Sequence, residues 1–353
     1  MEKRLAKLRA SLPEGFDAYL VAKPDNRAYL TGFTGSNGYA LISRNTALLL
    51  TDFRYVEQAA VEAPEFMIKD YQTSLYDALQ QALTEHNIQR LGFESDYITF
   101  SIYETLKEKL QAELVPQTGL VEKLRMVKDE AELASMRRAA AIAEAALRQT
   151  LPKIKVGVSE AFIALELEIE LRRLGSERLA FEIIAASGPR SSLPHGRASD
   201  KLIRHGDFLT LDFGAVYNGY CSDMTRTFVV GKATDEQRRI YGIVLKAQQA
   251  ALAAAKPGRL GKEVDAVARE IIAQAGYAER FGHGLGHGVG RAVHEGPSAG
   301  TKGEDALQPN MVITIEPGIY IPEWGGVRIE DMVVVTPDGC ENFYSFSKEL
   351  IEL

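Results

Sequence analysis

The stretch FGHGLGHGVGRAVHEGP, residues 281 to 297, holds three of the chain's six histidines, with glycines at 282, 284, 286, 288, 290 and 296. Glycine at nearly every second position removes the side chains that would bury His283, His287 and His294 as ordinary packing, and it weakens helices and strands alike. The stretch reads as shaped backbone around imidazoles. Such imidazoles serve as metal ligands or as proton carriers.

Four carboxylates elsewhere interrupt apolar runs: Asp212 in FLTLDFG, Asp223 beyond an Asn218-Gly219 pair, Glu316 in MVITIEPG and Glu330 in VRIEDMVVV. Asn-Gly between two strands is a strong hairpin signal. With those two residues as the loop, Tyr217 faces Tyr220, Asp212 faces Thr225 and Asp223 faces Gly214. Both aspartates then share a face as diagonal neighbours, roughly 7 Å apart at Cα. Buried carboxylates that close repel, so one protonates or both bind a cation.

The pattern repeats around Glu316 and Glu330, as acid-x-Gly, strand, turn, strand, acid. Two such hairpins related by an approximate two-fold would gather a charge of about −4, beyond one divalent ion and within reach of two. His287 supplies a nitrogen ligand. Oxygen-rich ligation with one imidazole and no thiolate favours Mn²⁺, with Co²⁺ or Zn²⁺ able to substitute. Asp331 falls on the face opposite Glu330 and reads as structural, while His86 and His205 read as surface residues.

These residues need a scaffold. Residues 17 to 116 alternate short apolar strands (DAYLVA, YALIS, TALLLTD, RLGFES) with helical patterns, which predicts an α/β N-terminal domain over 1–122. Its loop TGFTGSNG lacks the glycine spacing of a phosphate cradle. From about 123 a long alanine-rich helix opens a second domain, 123–353. A helix capped by Ser159 and stopped by Gly175 follows, then one with capping-box spacing at Thr234 and Gln237. Helices beside the strands FEIIAAS, DFLTLDFGAVY, GYCSDMTRTFVV, MVITIEPGIYI and GVRIEDMVVVT predict an α+β domain, helices covering a curved, mostly antiparallel sheet.

The whole chain limits the partners. It has 353 residues, 41 Lys and Arg against 48 Asp and Glu, and a formal charge of −7. That charge gives no reason to expect nucleic acid or an anionic membrane as partner. Cys221 and Cys340 are too few for a disulfide framework. With no secretory h-region and no apolar run near the ~18 residues that span a bilayer, a cytoplasmic protein acting on a small substrate is expected.

Taken in order, LDFG, SDMTRTF, GHGLGHGVG, VHEGP, TIEPGIY and GVRIEDM after an α/β domain resemble the pita-bread metallopeptidases, in particular their aminopeptidase P and prolidase branch. The resemblance covers essentially the whole chain. It implies a C-terminal pita-bread domain in which Asp212 chelates one metal, Asp223 and Glu330 bridge both, and His287 and Glu316 complete the second. It also implies that His195, in LPHG, and His294 line the substrate site, that Arg328 stands beside the bridging glutamate, and that His283 lies near the substrate.

The implied activity is hydrolysis of the bond between an N-terminal residue and proline. Aminopeptidase P is the first expectation and prolidase the alternative; a homodimer and a small peptide with proline in second place are implied with it. Glu316 would shuttle the proton, with His195, His294 and Arg328 around the reacting group. A pita-bread fold can also serve a non-catalytic peptide-binding module, and a different metal-dependent hydrolase would fit the same ligands.

Overall fold

Short β-branched and leucine-rich runs bounded by turns form a six-stranded mixed sheet in the first part of the chain. The computed structural model describes residues 1–72 and 74–353, and it divides into two compact units, Met1–Arg125 and Met126–Leu353. Unit 1 carries β1 (Ala18–Val21), β2 (Tyr39–Ser43), β3 (Ala47–Thr51), β4 (Met67–Asp70), β5 (Arg90–Glu94) and β6 (Glu113–Gln117) in the order β4-β3-β2-β1-β5-β6. The edge strands β4 and β6 have no counterpart among the apolar runs of the sequence. Both are short, and β6 holds Pro116, which an edge tolerates because no partner needs its missing N–H.

The C-terminal end of β5 carries a buried acid. Glu94, 1% exposed, accepts the Ala22 and Lys23 N–H groups at 2.6 Å each, and Asn26 Nδ2 at 2.7 Å. Burial outweighs these donors and pushes its carboxyl up to about 7.

The helix expected from 123 is interrupted where unit 1 gives way to unit 2. A short helix, Leu120–Met126, ends, and a new one, Glu130–Thr150, begins on a capping box in which Asp129 and Glu132 accept each other's backbone N–H. Such a cap contributes about 1 kcal/mol, enough to restart a helix at that point. Ser159 caps Glu160–Arg173, Gly175 takes the left-handed conformation after it (φ +103°), and Thr234 with Gln237 forms a capping box at Asp235–Ala254.

The ladders of unit 2 are antiparallel, with one isolated parallel bridge between Val229 and Glu352, as a mostly antiparallel sheet requires. The first hairpin comprises β8 (Phe208–Phe213), β9 (Val216–Tyr217), β10 (Tyr220–Cys221) and β11 (Met224–Val229), with β7 (Ile184–Ser187) on the outer side of β8. FEIIAAS is therefore strand only over its last four residues. Asn218 and Gly219 both have positive φ, 50° and 74°, and the register is the one read from them: Tyr217 opposite Tyr220 and Asp212 opposite Thr225.

The glycine-rich stretch supplies β12 (Gly286–Gly288) and β13 (Glu295–Ala299). The second hairpin comprises β14 (Val312–Ile315), β15 (Gly318–Ile321), β16 (Gly325–Arg328) and β17 (Asp331–Val335), with β18 (Cys340–Asn342) beyond. Each long run expected as one strand is thus broken into an outer and an inner ladder. Asp223, Glu316 and Glu330 stand at those breaks, and Asp212 lies one residue inside the end of β8. An acid at a break is free of the ladder's alternation and turns inward. The hairpins are stitched together there, since Glu330 N–H donates to the Thr225 carbonyl at 3.1 Å and Arg328 N–H to Thr227 Oγ1 at 3.2 Å.

Candidate metal centre

Around those breaks opens a cavity of about 630 Å³, lined by His195, Asp212, Asp223, His283, His287, His294, Glu316, Arg328 and Glu330. All nine residues singled out in the sequence face one space. Ligand-type atoms of Asp223, His287 and Glu330 lie within 4.8 Å of one another. His287 Nε2 is 3.6 Å from Asp223 Oδ2 and 3.3 Å from Glu316 Oε1.

The local backbone explains why these side chains converge. Gly286 and Gly288 flank His287, and a Cβ at either would lie about 2 Å from a neighbouring carbonyl: Thr314 O at 2.0 Å and Gly296 O at 2.1 Å. Only glycine lets β12 press this closely on its neighbours. His287 N–H donates to Thr314 Oγ1 at 3.1 Å, and Thr314 Oγ1 donates to Glu316 Oε1 at 3.0 Å. His287 Nδ1 donates to the Gly288 carbonyl at 3.1 Å, which leaves Nε2 unprotonated toward the acids when the ring is neutral.

Counter-charge is scarce. Arg328, 3% exposed, donates through Nη2 to Asp212 Oδ2 at 2.6 Å, through Nε to Thr225 Oγ1 at 3.1 Å and through Nη1 to Tyr320 Oη at 2.9 Å. Thr225 passes the contact on by donating to Glu330 Oε2 at 2.6 Å. The other oxygen of Asp212, Oδ1, is buried with no hydrogen-bond partner.

Electrostatics follow from that shortage. Burial, then repulsion from the neighbouring carboxylates, holds Asp223 and Glu330 well above the ordinary carboxylate range, and burial raises Asp212 despite Arg328. Burial opposes charge on Glu316 and His287 too, but each sustains the other: Glu316 lies below its ordinary value and His287 above. A buried unpartnered carboxylate oxygen, several acids unable to ionise together, and an imidazole nitrogen aimed among them fit divalent cations.

The imidazoles around this core differ. Burial lowers His283 and His294, so both are neutral at pH 7. The His294 ring packs edge-on to His287 with centroids 4.2 Å apart. His283 Nδ1 donates to the Gly284 carbonyl at 2.7 Å, so its Nε2 accepts the Tyr320 O–H at 2.8 Å.

Two tyrosines outside the residues singled out in the sequence also contribute. Tyr320, pushed up to about 12 by burial, joins His283 to Arg328. A signal for it existed: Gly318 lies opposite Arg328, and a Cβ there would sit 2.5 Å from the Tyr320 hydroxyl. Tyr344 grips the Asp223 backbone, its hydroxyl donating to the carbonyl at 2.6 Å and accepting the N–H at 3.1 Å. Lying 121 residues away, it left no local trace.

Comparison with known proteins places this geometry in a lineage. The profile of metallopeptidase family M24 matches residues 134–337, and that of the creatinase/prolidase N-terminal domain matches 4–127. The chain is 40% identical to the Xaa-Pro dipeptidase of Pyrococcus furiosus over 99% of this chain and 100% of that one. Among solved structures, the Xaa-Pro dipeptidase from Bacillus anthracis superposes with a TM-score of 0.98 at 46% identity, covering 100% of this chain and 99% of the other. The X-Pro aminopeptidase from Thermotoga maritima MSB8 gives 0.91 at 39% identity, covering 96% and 98%. With a helix-covered antiparallel double hairpin, a cluster of acids short of counter-charge, and these matches along nearly its whole length, the chain belongs to metallopeptidase family M24 and carries a creatinase/prolidase N-terminal domain.

Proposed function

We propose that the protein is a metal-dependent Xaa-Pro dipeptidase, cleaving the bond between an N-terminal residue and a C-terminal proline. The observation that carries the reading is the convergence of Asp212, Asp223, His287, Glu316 and Glu330 on one cavity where, among the described residues, Arg328 is the only guanidinium bonded to a carboxylate of the group. The relatives named as dipeptidases, at 40% and 46% identity, support putting the dipeptidase ahead of the aminopeptidase that the sequence alone suggested.

Two divalent ions held by those five residues, Mn²⁺ by the chemistry of the donors with Co²⁺ or Zn²⁺ as substitutes, would acidify the attacking water and polarise the scissile carbonyl. His287 offers Nε2 because Nδ1 is committed to Gly288. Arg328 and Thr225 hold Asp212 and Glu330 in fixed orientation, so neither has to reorganise when charge develops. Glu316 takes the water's proton and returns it to the proline nitrogen, a secondary amine that leaves only when protonated. Neutral His294 donates N–H to the oxygen of the tetrahedral intermediate, and His195 lies on the cavity wall within the same space. His283, Tyr320 and Arg328 form a bonded chain that orients the substrate side.

The test is a cleavage assay on chelator-stripped protein reloaded with Mn²⁺, Co²⁺ or Zn²⁺, comparing an Xaa-Pro dipeptide, an Xaa-Pro-Xaa-Xaa tetrapeptide and an Xaa-Ala control. Cleavage of the dipeptide alone supports the proposal. Release of the first residue from the tetrapeptide identifies an aminopeptidase instead, and no metal-dependent cleavage refutes both. The proposal includes a homodimer with domains at 1–122 and 123–353, read out by light scattering and by limited proteolysis.

A further inference from the structure

Glu160 opens the Glu160–Arg173 helix and is fully buried, yet five donors converge on it. Its Oε1 accepts Ser187 N–H at 2.7 Å and Ser187 Oγ–H at 2.8 Å. Its Oε2 accepts Arg190 Nε at 2.9 Å, Ser199 N–H at 3.2 Å and Ser199 Oγ–H at 2.7 Å. Ser187 is the last residue of β7, so one carboxylate grips the start of an arm with one oxygen and its end with the other. Between the two grips lies His195.

The arm is also closed upon itself. Arg190 donates through Nη2 to the Arg197 carbonyl at 2.5 Å, Leu193 N–H to the Arg190 carbonyl at 2.9 Å, and Gly196 N–H to the Leu193 carbonyl at 3.0 Å. Ser191 Oγ donates to the Gly188 carbonyl at 2.6 Å and accepts Gly326 N–H at 2.8 Å, tying the arm to the β16 strand that carries Arg328.

A helix needs none of this from its first-turn glutamate, since attraction to the helix dipole requires no donors from a strand and a distant loop. His195, by contrast, is solvent-exposed at the cavity wall. An exposed imidazole is only as well placed as the backbone beneath it.

We infer that Glu160 is a positioning residue for His195, a single buried carboxylate clamping both ends of the Ser187–Ser199 arm so that the imidazole stays aimed into the cavity. The catalytic consequence rests on the dipeptidase reading; the clamp itself does not.

The experiment uses the full-length, metal-reloaded protein in four forms: wild type, Glu160→Gln, His195→Ala and the double variant. Glutamine keeps the shape but replaces one acceptor oxygen with a donor, so the N–H groups facing that position lose their acceptor: Ser187 N–H at Oε1, or Arg190 Nε and Ser199 N–H at Oε2. Hydrogen–deuterium exchange of peptides covering 188–199 is expected to accelerate about tenfold or more in Glu160→Gln, with the remaining core unchanged. On an Xaa-Pro dipeptide, kcat/KM is expected to fall ~10- to 100-fold in Glu160→Gln when His195 is present, carried mainly by kcat, and less than about twofold when His195 is already alanine. Glu160→Asp, which restores the charge, is expected to recover part of the loss. Equal losses in both backgrounds, unchanged exchange in the arm, or acceleration spread through the whole chain would each overturn the inference. A wild type that cleaves no Xaa-Pro peptide defeats the dipeptidase reading, and the exchange result still decides the clamp.

Discussion

Glu330 and Asp331 are adjacent in the chain, 1% and 0% exposed, and turned to opposite faces. Asp331 receives Arg226 Nη2 at 2.7 Å, Lys348 Nζ at 2.9 Å and Gln248 Nε2 at 2.9 Å. Burial alone would raise its carboxyl, but the two cations overcome that and hold it below the ordinary range. Glu330 receives the Thr225 hydroxyl, shares its space with Glu316 and Asp212, and is driven well above its ordinary value. Two carboxylates equally withdrawn from water therefore differ in charge balance: one is neutralised by cationic side chains within the protein, and the other lacks such a partner and is pushed toward its protonated form. Burial marks neither as functional; the shortage of counter-charge marks one.

That contrast breaks first at the metal side. Glu330→Gln or Asp223→Asn is expected to lower metal affinity and turnover by more than ~100-fold, a larger effect than losing a supporting residue around a ligand. Metal-free Glu330→Gln should melt above metal-free wild type because one repelling charge is gone. Added Mn²⁺ should raise the wild-type melting temperature and leave the variant's nearly unmoved. Metal analysis with differential scanning calorimetry checks all three; a variant that keeps two metals and full activity would remove Glu330 or Asp223 from the ligand set.

On the opposite face the outcome reverses. Asp331→Asn leaves the guanidinium of Arg226, 1% exposed, without its charge partner, and is expected to cost about 3–5 kcal/mol of stability. Where the variant is folded, its metal content should match wild type. Urea titration and metal analysis of the same samples separate this from a ligand effect.

Glu94 sharpens the comparison as a third solution, a buried acid served by backbone N–H groups and an amide but raised to about 7. Its folded value lies above the ordinary 4.5, so the folded state favours the protonated form. The stability this contributes is full below pH 4.5 and is lost as pH rises to about 7, on the order of 3 kcal/mol in all. Amide exchange in β1 and β5 followed from pH 4.5 to 8 should show that decline in wild type and a flatter profile in Glu94→Gln.

The smallest expected effect is Thr225→Val. It removes the hydroxyl linking Arg328 to Glu330 without replacing a candidate ligand, and should weaken metal binding by ~10- to 100-fold, with the fold intact by circular dichroism. A loss as deep as that of Glu330→Gln would mean that the hydroxyl does more than orient the carboxylate.

Much of this molecule was legible in the chain. Asn218-Gly219 determined a hairpin register because both residues accept positive φ at little cost, while Asp223 reaches the cavity of Asp212 from the break between β10 and β11. Glycines about His287 announced close backbone approach, and Ser159, Thr234 and Gln237 announced helix starts, since caps and turns are governed by interactions within a few residues. The tertiary structure alone decided where the long runs break, because outer and inner ladders separate in response to the opposing hairpin. It also brought Tyr344 to Asp223, Tyr320 between His283 and Arg328, and both ends of the His195 arm to Glu160. Those contacts join residues tens to more than a hundred positions apart in most cases. No periodicity records them; they exist because close packing leaves one place for each polar atom to be satisfied.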